Sequence, residues 1–272
     1  MHARRFRTVF LSDVHLGTPG CRSGYLLAFL QSMTCEQLYL VGDIVDLEAL
    51  AQRAWWHPEH SAILAEVLRI AESGTQVTYI PGNHDASMRA QAGRTIGRVR
   101  VRRDAIHETA DGRRLRVSHG DEYDPHDYGK RWLYRVGERA HRLVCWSGRG
   151  INAVRRRLRK PYLPVSLWLK QRIGRALRYI RAYEQRVADA ARAQGFDGHV
   201  CGHIHCGAIR DIDGVLYLND GDWVEHCTAL VEAHDGALSL VQATERFTVL
   251  ATAPARIPRH VAHGHEHVRP AA

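Results

Sequence analysis

Residues 7–15 have the sequence Arg7-Thr-Val-Phe-Leu-Ser-Asp-Val-His15, a short apolar run that leads directly into an aspartate and a histidine. The run predicts a first buried strand that ends at Asp13. Similar apolar runs predict two more strands, at 37–41 and 76–80. Apolar residues at helical spacing predict a helix between each pair of successive strands, at 23–33 and 60–71. Strand and helix thus alternate, which predicts an α/β layered sheet.

The remainder of the chain divides into three parts. Short strand patterns occupy 99–101, 105–108 and 115–118, a helical pattern extends from Asp127 to Ala193, and strands return at 199–201, 208–211, 215–219 and 227–232. After Gln242 the pattern weakens, and the last residues are rich in Ala, Pro, Arg and His. We therefore predict one domain at 1–250, interrupted by a helical insert at about 125–195, and a disordered tail at 251–272.

Polar side chains follow five of the predicted strands. The motifs, in chain order, are Asp13-Val-His15, Gly42-Asp43-Ile-Val-Asp46, Gly82-Asn83-His84-Asp85, His119-Gly-Asp121 and Gly202-His203-Ile-His205. Because the carboxyl ends of strands form the binding crevice of open α/β sheets, these side chains are expected to meet at one edge. Mixed Asp, Asn and His ligands suit borderline-hard divalent ions such as Mn²⁺, Fe²⁺ or Zn²⁺ and indicate a site of this kind rather than a thiolate site.

The order of the motifs carries more weight than any single motif. Gly264-His-Glu-His267 in the predicted tail also matches the pattern G-H-x-H, but no strand precedes it and no partner loops accompany it. An isolated match of this length is therefore weak, whereas five matches in order at strand ends indicate a metal site.

The net charge of +9 is distributed unevenly along the chain. Residues 130–181 contain 16 Lys and Arg residues and one acidic residue, which gives this segment +15 and leaves −6 for the rest. Such a segment suggests an anionic partner, either nucleic acid, phosphate or a membrane surface. Trp and Leu residues lie among its arginines, a composition that suits a membrane interface; packing of the insert onto the body is the alternative.

Several protein classes are excluded or disfavoured by the sequence. The basic N-terminus lacks the apolar stretch of a signal peptide, and no stretch approaches the roughly 18 apolar residues of a membrane span. The six cysteines are scattered without a CxxC pair, so we expect them to be reduced. These features predict a cytoplasmic protein.

The ordered motifs resemble those of the calcineurin-like metallophosphoesterases, from Asp13 to about His205. The resemblance implies two stacked β-sheets flanked by helices and a site for two divalent cations, with Mn²⁺ as first choice and Fe²⁺ or Zn²⁺ as alternatives. It assigns Asp13, His15 and His205 to one ion, Asn83, His119 and His203 to the other, and Asp43 to both. It also implies that His84 stabilises the transition state or protonates the leaving group, and that Asp46 orients the ring of His84.

A narrower resemblance is to the bacterial UDP-2,3-diacylglucosamine pyrophosphatase group, which acts in lipid A synthesis. Extended motifs carry it, among them Tyr79-Ile-Pro-Gly-Asn-His-Asp85 and Asn219-Asp-Gly-Asp-Trp-Val-Glu225. The best-known branch of that group has Arg after the Asn of its Gly-Asn motif, whereas this chain has His84, so the resemblance is to a paralogous branch. It implies hydrolysis to a lipid phosphate and UMP at the cytoplasmic membrane face. The predicted substrate contacts are Asp127, Arg155, Arg156, Arg157 and Lys170.

Two alternatives remain open from the sequence. The same chemistry could serve a phosphodiesterase or phosphatase with a different phosphorylated substrate. A protein of another class would use the basic insert to bind nucleic acid or a membrane and would hold its metals for structure only. The His84 and Asp46 pair argues against the second alternative, because a structural metal site needs no general acid. The sequence does not predict an oligomeric state.

Overall fold

The computed structural model describes residues 3–124, 150–151, 154–155, 157–158 and 174–256. Eight strands form the larger of two sheets, in the spatial order β13-β12-β11-β1-β2-β3-β5-β4. They are β1 (Arg4–Leu11), β2 (Met33–Val41), β3 (Gln76–Ile80), β4 (Thr95–Ile96), β5 (Val99–Val101), β11 (Thr228–Glu232), β12 (Leu238–Ala243) and β13 (Phe247–Ala253). The pairs β1–β2, β2–β3 and β3–β5 are parallel, so the carboxyl ends of these four strands lie at one edge of the sheet.

Five strands form the smaller sheet, in the order β6-β7-β8-β10-β9. They are β6 (Ala105–Glu108), β7 (Arg114–Val117), β8 (Gly198–Cys201), β9 (Ala208–Ile212) and β10 (Val215–Asn219). Its central strands β7, β8 and β10 are parallel, so this sheet also collects its strand ends at one edge.

Helices cover the outer faces of both sheets. In the described part of the chain the helices are α1 (Ser23–Gln31), α2 (Leu47–Gln52), α3 (Pro58–Glu72) and α4 (Gly174–Ala193), with short 3₁₀ helices at Ala86–Gln91 and Asp121–Tyr123. Helices α1 and α3 pack on the larger sheet, and α4 packs on β8 and β10 of the smaller sheet. In the described part of the chain, no helix combines the length and the apolar composition needed to cross a lipid bilayer.

Alternation of side chains along the strands builds two cores from one sheet. Val9 and Leu11 of β1 pack with the helices, whereas Phe10 between them packs with Leu115 and Leu218 of the smaller sheet. Successive strand residues point to opposite faces, so a continuous apolar run is required wherever both faces are covered. This packing confirms the expected α/β fold of two stacked sheets flanked by helices.

Several element boundaries differ from those expected. Strand β2 begins at Met33 rather than at 37. Met33 lies opposite Arg4 in the parallel ladder with β1, and backbone pairing of this kind does not require apolar side chains. Helix α3 begins at Pro58, since proline is accommodated in the first turn of a helix.

The prediction of a disordered tail beginning at 251 is wrong for residues 251–253, which belong to a strand. Strand β13 continues to Ala253, which pairs with Leu238 at the end of β12. Edge pairing through the backbone needs no apolar alternation, so the sequence pattern did not reveal this strand. Residues 257–272 lie outside the described part, as does most of the predicted helical segment before Gly174, so the domain and insert boundaries stay predictions.

Candidate active site

The loops after five strands place the seven predicted ligands at one edge of the two sheets. Asp13 and His15 follow β1, Asp43 follows β2, Asn83 follows β3, His119 follows β7, and His203 and His205 follow β8. The strand ends of both sheets therefore contribute to a single cluster of side chains.

One part of the cluster contains Asp13, His15 and His205. Oδ1 of Asp13 lies 3.1 Å from Nε2 of His205 and 3.9 Å from Nε2 of His15. This Asp13 oxygen and Nε2 of His15 are both buried, and neither forms a hydrogen bond of good geometry with the described residues. Buried polar atoms are nearly always satisfied, so the pair fits a divalent cation as the missing partner.

A second part contains Asn83, His119 and His203. Oδ1 of Asn83 lies 3.2 Å from Nε2 of His119 and 3.1 Å from Nδ1 of His203. An amide oxygen and two imidazole nitrogens thus converge on one region. These are donors that suit Mn²⁺, Fe²⁺ or Zn²⁺.

Asp43 lies between the two parts. Its Oδ2 is 3.2 Å from Nε2 of His119 and 3.9 Å from Nε2 of His15, while the backbone N–H of His84 donates to its Oδ1 at 2.8 Å. Burial would raise the pKa of this carboxyl, but His119 and His15 outweigh that effect and hold the pKa well below its usual range. Asp43 is therefore a carboxylate with ring nitrogens on both sides.

The backbone is strained at most of these positions. Five of the seven predicted ligands have left-handed backbone conformations, namely Asp13 (φ 51°), His15 (φ 53°), Asp43 (φ 53°), His203 (φ 67°) and His205 (φ 49°). Such conformations cost about 1–3 kcal/mol each in non-glycine residues and cluster at functional sites. The strain is thus concentrated at the side chains that the motifs single out.

Two glycines allow the loops to approach one another. A Cβ atom at Gly82 would lie 2.3 Å from Oδ1 of Asp43, and one at Gly42 would lie 2.2 Å from Nδ1 of His119. Gly42 also has a φ of +86°, which L-residues rarely adopt. Any side chain at these positions would displace a predicted ligand.

His84 and Asp46, the pair expected to take part in proton transfer, lie close to each other beside the cluster. Nδ1 of His84 lies 3.2 Å from Oδ2 of Asp46, and His84 is partly exposed. Burial opposes a positive charge on this ring, but the hydrogen bond with Asp46 and the charge of Asp43 outweigh it and raise the pKa of His84 to about 9. These contacts favour the protonated form of the His84 ring.

The structure adds a second partner to Asp46. The same Oδ2 lies 3.0 Å from Nδ1 of His15, so one carboxylate oxygen is shared by two rings. Burial would raise the pKa of Asp46, whereas hydrogen bonds from His15 and His84 lower it. Sequence reasoning assigned Asp46 to His84 only.

Another carboxylate near the cluster was missed. Oδ2 of Asp222 lies 4.0 Å from Nδ1 of His205, and the Asp222 carboxylate accepts hydrogen bonds from Nδ1 of His226 and from the backbone N–H of Val224. Asp222 follows β10, so applying the strand-end rule to the run at 215–219 could have found it.

The predicted substrate contacts are only partly described. Both Arg155 and Arg157 have helical backbones, and Arg155 is half-buried whereas Arg157 is exposed. Asp127, Arg156 and Lys170 lie outside the described residues, so all five assignments stay predictions.

The sequence model of the calcineurin-like phosphoesterases matches residues 6–207 of the chain. The chain belongs to this family. Among the described residues, the groups Asp13–His15–His205 and Asp13–Asp43–His119 each bring three potential metal-ligand atoms within 4.8 Å of one another.

Relatives with assigned names include UDP-2,3-diacylglucosamine hydrolases. The protein of Shigella sonnei is 25% identical over 180 residues, which cover 63% of this chain and 65% of that protein. The protein of Escherichia coli strain K12 is 24% identical over 185 residues with the same coverage. The match therefore spans somewhat less than two thirds of the length of these relatives.

Solved structures of similar shape include phosphoesterase YfcE from Escherichia coli and Vps29 from Cryptosporidium parvum. YfcE has a TM-score of 0.47 and 13% identity, over 92% of this chain and 99% of YfcE. Vps29 has a TM-score of 0.45 and 12% identity, over 90% of this chain and 95% of Vps29.

Proposed function

We propose that this phosphoesterase hydrolyses the pyrophosphate bond of UDP-2,3-diacylglucosamine to a lipid phosphate and UMP. The observation that carries the chemistry is the position of Asp43, whose Oδ2 lies 3.2 Å from Nε2 of His119 and 3.9 Å from Nε2 of His15. The choice of substrate is supported by the relatives named for that hydrolysis.

The proposed cofactors are two divalent cations, with Mn²⁺ first and Fe²⁺ or Zn²⁺ as alternatives. Asp13, His15 and His205 would hold one cation, Asn83, His119 and His203 the other, and Asp43 would contact both. When bound, such a pair neutralises charge on phosphate oxygens and lowers the pKa of a bound water.

His84 is proposed to stabilise the transition state or to protonate the leaving oxygen. Nδ1 of His84 lies 3.2 Å from Oδ2 of Asp46, and a contact with that carboxylate would orient the ring and leave Nε2 for the substrate. The backbone N–H of His84 is bound to Asp43, so the same residue is positioned from two sides.

The basic segment is proposed to face the anionic substrate and the cytoplasmic face of the inner membrane. Its net charge of +15 contrasts with −6 for the rest of the chain. Arginine binds diphosphate groups in a bidentate manner, and Trp and Leu residues beside arginines suit an acyl-chain groove at a membrane interface.

A second candidate is a phosphodiesterase or phosphatase with a different phosphorylated substrate. The observation that favours it is His84, at the position where the best-known branch of the pyrophosphatase group has Arg. Binding of nucleic acid without catalysis is the weaker reading, because a structural metal site does not need the His84–Asp46 pair.

One assay separates these candidates. The Mn²⁺-loaded protein is offered UDP-2,3-diacylglucosamine, bis-p-nitrophenyl phosphate and single-stranded DNA, with Asp43→Asn as the inactive control. We expect hydrolysis of the UDP-lipid with UMP as product. Turnover of the chromogenic ester alone would contradict the lipid substrate, and cleavage of DNA would indicate a nuclease. Failure with all three substrates in protein shown to hold two metals would indicate a binding module.

A further inference from the structure

A carboxylate outside the predicted motifs lies behind the ring of His203. Oδ2 of Asp124 is 3.1 Å from Nε2 of His203, while Nδ1 of the same ring is 3.1 Å from Oδ1 of Asn83. One nitrogen of the ring therefore faces a predicted ligand, and the other faces Asp124. The Asp124 side chain is 13% exposed, so water competes little for this contact.

Two other predicted ligands show the same arrangement. Nδ1 of His119 is 2.9 Å from the carbonyl oxygen of Val41, and Nδ1 of His15 is 3.0 Å from Oδ2 of Asp46. In each case an acceptor lies where it can hold a proton on the ring nitrogen that faces away from the cluster. The lone pair of the other nitrogen is then available to a cation.

The second oxygen of Asp124 is held by helix α4. The hydroxyl of Tyr179 donates to Oδ1 of Asp124 at 2.9 Å. Two further hydrogen bonds join α4 to the turn at 120–124, in which Asp124 lies. The Tyr183 hydroxyl donates to the carbonyl oxygen of Gly120 at 3.1 Å, and Nε of Arg186 donates to that of Tyr123 at 2.8 Å. The position of the carboxylate is thus set by a helix distant in sequence.

We propose that Asp124 is a positioning residue for the cation held by Asn83, His119 and His203. Its carboxylate keeps the proton of His203 on Nε2 and fixes the ring, so that Nδ1 faces the cation. Tyr179 holds Asp124 in turn. The inference rests on the two-cation site of the proposed function and not on the substrate.

The test is a calorimetric Mn²⁺ titration of the full-length apo-protein and of its Asp124→Asn variant. Asparagine has the same size, but it carries no charge, and its amide group can turn an N–H toward the ring and favour the wrong tautomer. We expect the affinity for one of two Mn²⁺ ions to fall by about 10–100-fold, as is typical when a partner of a metal-ligating histidine is lost. The affinity of the variant for the other Mn²⁺ ion should stay within about twofold of the wild-type value.

A second readout is rescue by metal. Turnover of bis-p-nitrophenyl phosphate by Asp124→Asn should require a higher Mn²⁺ concentration and should recover at saturation. A loss that saturating Mn²⁺ does not restore would overturn the positioning role.

Two further variants separate positioning from a general structural role. Tyr179→Phe removes the outer contact only and should weaken the same Mn²⁺ site by a smaller factor. Arg186→Gln removes a bond between α4 and the same turn without touching Asp124, so its Mn²⁺ affinities should equal those of the wild type. Equal weakening by Arg186→Gln would show that helix docking alone matters and would overturn the inference.

The remaining outcomes are also decisive. Folded Asp124→Asn and Asp124→Ala variants that bind both Mn²⁺ ions with wild-type affinity would overturn the inference, as would a wild-type protein that binds fewer than two. Since the titration uses no substrate, failure of UDP-lipid hydrolysis would contradict the proposed function without affecting this result.

Discussion

Nδ1 of His84 lies 3.2 Å from Oδ2 of Asp46, and that same oxygen lies 3.0 Å from Nδ1 of His15. The two rings meet edge to face, with their centroids 4.7 Å apart. A single carboxylate therefore supports both a predicted metal ligand and the predicted proton donor. Substitutions of Asp46 and of His84 should consequently have different effects.

His84→Ala should retain both Mn²⁺ ions and lose turnover. The side chain of His84 is not among the predicted ligands, and loss of a general acid lowers kcat by about 100-fold or more. Metal content after dialysis and kcat on diphenyl phosphate and bis-p-nitrophenyl phosphate provide the measurement. The loss should be larger for diphenyl phosphate, because phenolate is the poorer leaving group. Equal losses on both esters would argue against proton donation and for a purely electrostatic role.

Asp46→Asn should lower both turnover and metal affinity. The amide cannot supply the charge that now faces two imidazoles, so we expect the affinity for the ion beside His15 to fall by about 10–100-fold. The matched control is Glu48→Gln, because Glu48 is largely exposed and its Oε2 lies 4.0 Å from Nδ1 of His84. An Asp46→Asn protein with unchanged Mn²⁺ affinity would show that the contact with His15 has no function.

Gly82→Ala should abolish metal binding while Gly24→Ala should not. The added Cβ at Gly82 would lie 2.3 Å from Oδ1 and 2.8 Å from the backbone nitrogen of Asp43, so the loop after β2 must move. At Gly24 in helix α1 the nearest atoms are the Glu59 oxygens, at 3.9 Å, and alanine there should stabilise the protein by up to about 1 kcal/mol. Mn²⁺ titration and thermal unfolding of both variants test this. Normal Mn²⁺ binding by Gly82→Ala would contradict the steric argument.

Buried His199 should make the protein less stable in acid. Burial, assisted by the charge of Arg116, lowers the pKa of His199 to about 3, and Nε2 of its ring lies 2.8 Å from Oγ of Ser118. Below about pH 6.5 the unfolded chain takes up a proton at this position that the folded protein does not. The free energy of unfolding should therefore fall by up to about 1.4 kcal/mol per pH unit from this group as the pH decreases toward 3.

Urea unfolding at pH 7, 6 and 5 measures this contribution. His199→Gln should show a smaller decrease in stability between pH 6 and 5 than the wild type, by up to about 1.4 kcal/mol. The control substitution is His234→Gln, which replaces an exposed histidine on the surface. Parallel wild-type and His199→Gln curves would show that the ring titrates normally in the folded state.

Much of the candidate site follows from local sequence patterns. An apolar run such as Thr8–Leu11 must be a strand covered on both faces, and the residues after it, Asp13 and His15, must then lie at the sheet edge. The same reasoning predicts that Asp43, Asn83 and the later histidines lie at this edge. Strand β13 could not be predicted in this way, because an edge strand paired through backbone hydrogen bonds does not require a regular pattern of apolar side chains.

The partners of these side chains could not be predicted in the same way. Asp124 and His203 are 79 residues apart, and the contact depends on how α4 docks beside the turn at 120–124. Asp46 has His84 as its expected partner, yet only the packed loops reveal that it also contacts His15.

The sequence by itself determined the alternation of strands and helices, and which polar residues end each strand, because these depend on local periodicity and on the direction of the chain. Tertiary structure decided which carboxylate supports which imidazole. That choice depends on contacts of about 3 Å between loops distant in sequence, and only the packing of the two sheets and their helices brings those loops together.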